Sequence, residues 1–141
     1  MLFGCRSSSS LFAIILVVSG AIRAGATIVW IGSVPLRQQA AKVAPLHYPV
    51  SSVSARRGGV VSAELRVSNE GVVTDVKVLE APDEAISNSV GLSLRQWRFS
   101  PIVVNGSAVE VRGRLVFYFR VNEGGQGVII DAAESKMLKR R

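Results

Sequence analysis

A long alternating segment near the C-terminal end constrains the fold of this chain more than any other feature. It follows an Asn105-Gly106 turn and ends in a Phe-x-Phe pattern. Its apolar side chains fall on one face: Val109, Val111, Leu115, Phe117 and Phe119. Its charged side chains fall on the other face: Glu110, Arg112, Arg114 and Arg120. This period of two predicts a half-buried β-strand with one apolar face and one charged face.

Two shorter alternating segments lie upstream and are separated by a turn sequence. The first runs from Val61 to Val67 and the second from Val73 to Glu80. Between them, Ser68-Asn69-Glu70-Gly71 supplies residues that tolerate positive φ. The pattern predicts a β-hairpin that pairs with the later strand.

A helix is predicted between the hairpin and the final strand. Pro82 is expected at its first position, with Asp83 and Glu84 in the first turn, where carboxylates suit the helix dipole. The apolar stripe at helical spacing is Ile86, Val90, Leu94 and Trp97. The expected core residues are Leu94, Trp97, Phe99, Phe117 and Phe119. These elements predict an α+β fold, a three-stranded antiparallel sheet with one main helix packed on one face.

The N-terminal residues 1–26 have the pattern of an export signal. Arg6 precedes a short apolar run, and Ala24-Gly25-Ala26 is an A-x-A cleavage site. The alternative is a short, uncleaved membrane anchor, which would give the chain membrane contact, although Arg23 would be costly within a span. We expect cleavage after Ala26 and a periplasmic location, with inner-membrane anchoring if the segment is uncleaved.

The remaining chain divides into three parts by composition. Residues 27–44 are predicted to be a spacer, 45–122 the folded domain, and 123–141 a basic, flexible tail, in which Val128 to Leu138 could instead form a short helix. The whole chain has a net charge of +7, but the 9 basic and 7 acidic residues from Pro45 to Asn122 leave the domain at +2 (9 − 7). Because most of the excess charge lies in the ends, we expect no nucleic-acid partner.

The sequence offers no convincing catalytic, cofactor or metal site. The only cysteine, Cys5, lies in the predicted signal, so the exported part has no disulfide. The only histidine, His47, has no second histidine or cysteine to complete a metal site. No nucleophile elbow or phosphate-binding glycine loop is present. We therefore predict that the protein is not an enzyme and uses no cofactor.

The ordered set of short motifs from Pro45 to Val121 resembles the C-terminal domain of the TonB family. The set comprises Tyr48-Pro49, Gly59-Val60, Gly71-Val72, Trp97-Arg98-Phe99-x-Pro101, Asn105-Gly106 and the terminal Phe-x-Phe. The resemblance implies a periplasmic domain that contacts outer-membrane transporters and passes on force from an inner-membrane complex driven by protons. It also implies that a segment of the transporter pairs with the edge of the last strand.

This resemblance, with the charge pattern, defines the predicted partner surface. Its residues are Tyr48, Pro49, Glu110, Arg112, Arg114, Val116, Tyr118 and Arg120. A sheet edge accepts an extended peptide through main-chain hydrogen bonds, and the arginines favour an acidic one. The alternative is that these arginines only keep an edge strand soluble.

Two functional hypotheses remain open from the sequence. In the first, the protein contacts an outer-membrane transporter and takes part in energy-coupled uptake. In the second, it is a freestanding periplasmic protein-binding or structural module without motor coupling. The intact motif set favours the first, whereas the short spacer favours the second. A homodimer is compatible with either hypothesis.

Overall fold

The computed structural model describes residues 27–140, and the predicted signal or anchor at residues 1–26 lies outside them. Among the described residues, no helix is long and apolar enough to cross a membrane. The elements in chain order are β1 Ile28–Ile31, α1 Ser33–Gln38, β2 Ala40–Lys42, α2 Val50–Ser54, β3 Gly59–Val67, β4 Val73–Glu80, α3 Glu84–Arg95, β5 Arg98–Phe99, β6 Ile102–Val104, β7 Ser107–Val121, β8 Gly127–Asp131 and α4 Ala132–Leu138.

The main sheet has six strands and is organised around β7. The strand order is β1-β7-β3-β4, and β6 and β8 also pair with β7. The predicted α+β class is confirmed, but the prediction of a three-stranded sheet is wrong. The predicted strands form its centre; β1 and β8 come from segments on both sides of them, and β6 comes from the segment just before β7. Strands β2 and β5 form a separate two-stranded sheet.

The β3-β4 hairpin forms because two alternating segments meet at a glycine turn. The ends of β4 are those expected from the sequence, and β3 begins two residues earlier, at Gly59. Gly71 adopts a φ of +84°, and a Cβ on it would lie 1.8 Å from the carbonyl oxygen of Phe99. Only glycine fits this turn, since any side chain would collide with a neighbouring main-chain group.

Helix α3 begins two residues later than expected. Asp83 is its N-cap rather than a first-turn residue, and its carboxylate accepts a hydrogen bond of 2.8 Å from the Ile86 N–H. The capping carboxylate satisfies a free helix donor, which favours this start over one at Pro82. The helix ends at Arg95, so Trp97 follows the helix and is not part of its stripe.

The core lies between α3 and the apolar face of the sheet. Leu94, Trp97, Phe99, Phe117 and Phe119 are all buried there. The Trp97 indole N–H donates to the Ala44 carbonyl oxygen at 3.0 Å, so its one polar group is satisfied. Its ring meets Phe117 edge-on at a centroid distance of 6.3 Å. Indole and phenyl packing of this kind stabilises the helix-to-sheet contact.

The segments on either side of the central domain are folded against it. In the predicted spacer, α1 buries Leu36 completely in the core. In the predicted tail, β8 pairs with β7, and α4 buries Ala133. The structure therefore shows a strand and a helix where the sequence suggested a flexible tail. Helix α4 spans Ala132–Leu138, within the stretch given as the helical alternative.

Candidate partner-binding edge

Strand β7 has two long sides, and the side away from β3 is the one predicted to bind a partner. On the inner side, β3 pairs continuously with residues Val111 to Phe119. On the outer side, β1 runs parallel to Glu110–Gly113, and β8 runs antiparallel to Phe117–Val121. From Glu110 to Val121 of the described chain, only 114–116 have no strand partner on the outer side.

The expectation that β7 is a free edge strand is therefore wrong for this structure. Short strands from both ends of the chain satisfy most of its outer hydrogen-bonding groups. An unpaired strand edge is a liability that proteins often cover. Here the chain covers the edge itself, and a partner strand can align along it only where these short strands are absent or displaced.

The predicted charged residues lie on the face of the sheet opposite α3, where they form a mixed ion-pair array. Arg112 lies directly opposite Arg66 of β3, an arrangement that would be repulsive without acidic neighbours. Glu110 forms an ion pair with Arg66, and Glu64 with Arg112 at 3.5 Å. The Arg66 Nε contact lacks hydrogen-bond geometry, and this atom has no other hydrogen-bond partner in the described chain. Glu110 and Arg112 thus balance charge within the sheet.

Arg112 has a second neighbour in β1. Its guanidinium lies 5.6 Å from the ring centroid of Trp30, which is 60% exposed. The contact is a cation–π pair at the surface, and such pairs contribute about 0.5–1 kcal/mol. Strand β1 therefore covers the outer side of β7 and also holds the side chain of Arg112.

The other predicted partner residues of β7 are differently placed. Arg114, Tyr118 and Arg120 are exposed, and Val116 is half-buried. In the described structure Arg114 and Arg120 form no ion pair with an acidic side chain. Tyr118 and Arg120 line an open cleft of 510 Å³, together with Arg56 and the main chain of Gly58 and Gly59. The charged side chains of β7 that have no ion-pair partner are thus basic.

Tyr48 and Pro49 lie under the far end of β7 rather than on its outer edge. The Tyr48 ring packs edge-on against Phe119 at 5.0 Å, and its hydroxyl donates to the Arg57 carbonyl oxygen. The pKa of Tyr48 is raised, mainly because the hydroxyl is partly buried and secondly because the Asp83 carboxylate is near. Pro49 is the N-cap of α2. Tyr48 therefore packs beneath β8, Pro49 begins α2, and both side chains are only partly exposed.

One carboxylate connects β8 to the body of the domain. Asp131 Oδ2 accepts from Arg37 Nε at 2.7 Å, in an ion pair whose side chains are 17% and 12% exposed. Its Oδ1 accepts from the Ala133 N–H at 2.9 Å and so caps α4. The Arg37 guanidinium also lies 5.3 Å from the Trp97 ring centroid. Arg37 and Asp131 therefore join the N-terminal segment, β8 and the core.

A glycine allows β8 to begin where it does. A Cβ on Gly127 would lie 2.7 Å from Tyr48 Cδ2 and 2.9 Å from Val53 Cγ2. Such distances are shorter than ordinary carbon contacts, so a larger residue would push the strand from Tyr48.

Arg37, Asp131 and Gly127 were not predicted as functional residues, because the spacer and the tail that contain them were not expected to pack on the domain. The available signal was Gly127 before the apolar run Val128-Ile129-Ile130, followed by an Asp at a helix start. This pattern is typical of a short strand that leads into a capped helix.

A further feature of the described residues 27–140 is the placement of the side chains that could bind a metal ion. That part of the chain contains no group of three or more histidine, cysteine or acidic residues that could hold a metal ion. Asp83 hydrogen-bonds to Ser52 Oγ at 2.7 Å, but its other oxygen caps α3. These hydrogen bonds, Ser52 first, lower the pKa of the Asp83 carboxyl. The pair stabilises the start of α3.

Comparisons with known proteins agree with this geometry. The family model described as Gram-negative bacterial TonB protein C-terminal matches residues 44–121. The solution NMR structure of the Pseudomonas aeruginosa TonB CTD is similar, with 25% sequence identity and a TM-score of 0.51. The match covers 60% of this chain and 86% of that one. A comparison with curated protein sequences finds no match.

Proposed function

The chain belongs to the Gram-negative TonB C-terminal family, and on that premise we propose that it contacts an outer-membrane transporter from the periplasm by strand pairing along β7. The family acts in energy-coupled transport at the cell envelope, and its C-terminal domain is not catalytic. The proposal extends this general role to a particular strand of this protein and to a particular kind of contact.

The gap in the outer pairing of β7 is the observation that carries the proposal. The gap consists of Arg114, Leu115 and Val116, which lie between the ends of β1 and β8 and have no strand partner on the outer side. A partner segment that aligns here gains main-chain hydrogen bonds at once. The inner side stays paired with β3 throughout, so the strand is already extended and the partner alone is ordered on binding.

Extension of the contact towards Val121 requires the partner to replace β8. Strand β8 has five residues, and none of them is fully buried: Val128 is 41% exposed, and Ile129 is only partly buried against the core. Its main anchor is the Arg37–Asp131 ion pair at the end where α4 begins. A longer partner strand can exchange for β8 because it forms the same main-chain pairs and adds those at the gap.

The free charges along this route favour an acidic partner. Arg114 lies beside the gap, and Arg120 lies beside the cleft that also contains Arg56. Arg112 is already engaged by Glu64 and Trp30, so we assign it a structural role. Charge complementarity of this kind selects partners and raises the rate of encounter.

Strand pairing can be tested with a short synthetic peptide that alternates valine and glutamate. Titration into isotopically labelled protein should shift the amide resonances of residues 114–121 and reduce the hydrogen-exchange protection of β8. Val116→Pro should abolish binding because proline removes a main-chain donor at the gap. Gly127→Ala should strengthen binding severalfold, because it disfavours β8 and leaves the sequence of β7 unchanged.

A peptide of the same length that alternates valine and lysine serves as the control for charge. Equal binding of the two peptides would contradict the acidic preference. Resonance shifts confined to residues outside 114–121, or unaltered binding by Val116→Pro, would refute β7 as the docking strand. Circular dichroism of each variant separates loss of binding from loss of fold.

The closed state of the β7 edge favours a second candidate, a freestanding periplasmic module without motor coupling. In that case β1 and β8 are permanent parts of the sheet. Slow hydrogen exchange in β8 that no acidic peptide accelerates would support this second function. Faster exchange on peptide addition would support the first.

A further inference from the structure

Strand β4 forms one edge of the main sheet, on the side opposite the short strands β1 and β8. In the described part of the chain it pairs only with β3, which leaves its outer side without a strand partner. The register with β3 is irregular near Val67 at one end and near Ser62 at the other. Between these irregularities, 75–78 form a regular, extended edge. Such an edge accepts another strand more readily than a bulged one.

A groove of mixed polar and apolar lining runs along this edge beside α3. It has a volume of 590 Å³, and its apolar lining comes from Val76 and Val78 of β4 and from Gly91 and Leu92 of α3. Its polar lining comes from Lys77, Ser87, Asn88 and Arg95. Leu92 is 64% exposed, although it belongs to a helix that packs on the sheet. A Cβ on Gly91 would meet nothing within 4 Å, so the helix surface beside Leu92 is open.

The charges of β4 are arranged so that the strand is complementary to itself. Asp75 lies opposite Arg66 of β3, and Lys77 lies opposite Glu64, which places both on the same face of the sheet. Two antiparallel copies related by a two-fold axis perpendicular to the sheet must pair each residue with one on the same face. One residue of each strand therefore lies directly opposite its own copy, and the axis passes midway between the two.

Three registers place the axis near the middle of β4, at Asp75, Val76 or Lys77, and only one of them pairs opposite charges. With Val76 opposite Val76, Asp75 of each copy faces Lys77 of the other, and Thr74 faces Val78. With the axis at Asp75 or at Lys77, a charged residue would face its own like charge, which is destabilising. The order of residues in β4 thus selects the Val76 register and forms two opposite-charge pairs.

We propose that two copies of this chain associate through β4, forming one continuous sheet with both α3 helices on the same side. In this arrangement the exposed Leu92 of each copy lies along the seam between the helices, and Gly91 permits close approach. The β4 edge is separated from the outer side of β7 by β3, so a dimer leaves the proposed transporter-binding strand accessible.

Charge-swap variants of the full-length chain test the proposal by sedimentation equilibrium in a density-matched mild detergent. The wild type should dimerise, and Asp75→Lys and Lys77→Asp should each weaken dimerisation by about tenfold. An equimolar mixture should recover dimers, because the first variant presents two lysines along the β4 edge and the second presents two aspartates. Each intermolecular pair in the mixed dimer is then again of opposite charge. Circular dichroism checks that both variants fold.

A disulfide experiment gives the register directly. In a Cys5→Ser background, chains with Asp75→Cys and chains with Lys77→Cys should form a mixed disulfide when oxidised together, and little disulfide when oxidised alone. A monomeric wild type, undiminished dimerisation of both charge variants, or a mixture that does not recover dimers would each overturn the proposal. If the N-terminal segment held the dimer together, both charge variants would dimerise as strongly as the wild type.

Discussion

The Trp97 side chain provides the most direct measure of how the core holds α3 to the sheet. The indole is 1% exposed, packs against Phe99 and Phe117, and donates to the Ala44 carbonyl oxygen. Trp97→Ala removes all of these contacts and leaves a cavity, so the free energy of unfolding should fall by about 3–5 kcal/mol. Trp97→Phe keeps much of the apolar contact but loses the donor, and should cost about 1–2 kcal/mol.

Urea unfolding followed by far-UV circular dichroism measures both effects without depending on tryptophan emission. The matched control is Trp30→Ala, because Trp30 is 60% exposed and should cost at most about 1 kcal/mol through its contact with Arg112. In a Trp30→Phe background, Trp97 emission should be blue-shifted when folded and move to the red on unfolding. Equal costs for the two alanine variants, or solvent-like Trp97 emission, would refute the packing described above.

Three further predictions concern the edges of the domain. Gly113→Ala places a Cβ 2.7 Å from Leu36 Cδ2 of α1 and 3.0 Å from the Ile31 carbonyl oxygen of β1, so hydrogen exchange in β1 should accelerate while that in β3 is unchanged; equal acceleration in both strands would contradict this prediction. Ser52 lowers the pKa of Asp83, so the charged Asp83 carboxylate stabilises the fold above about pH 4, and this contribution is lost as the pH falls. The difference in the free energy of unfolding between wild type and Asp83→Asn should therefore shrink in acid, and a difference that stays constant with pH would contradict this prediction. N-terminal sequencing of periplasmic protein should begin after Ala26, whereas an intact Met1 terminus in a membrane fraction would disprove cleavage.

The periodicity of the central segments was sufficient to predict the central sheet and its helix. The alternation that places Leu115, Phe117 and Phe119 on one face is local information, because neighbouring positions alone determine which face is apolar. The glycine turn at Gly71 and the stripe ending near Trp97 are similarly local. These features also carried the family resemblance, which the comparison with the TonB C-terminal family confirmed.

Only the tertiary structure decided what lies along the outer side of β7. Strands β1 and β8 have four and five residues, too short for a reliable periodic pattern, and their place depends on pairing with a distant strand. The Arg37–Asp131 ion pair joins residues 94 positions apart, a separation that no local pattern reveals. The sequence alone determined which face of β7 is buried, whereas long-range packing determined that its outer side is largely covered and that β4 forms the opposite edge of the described sheet.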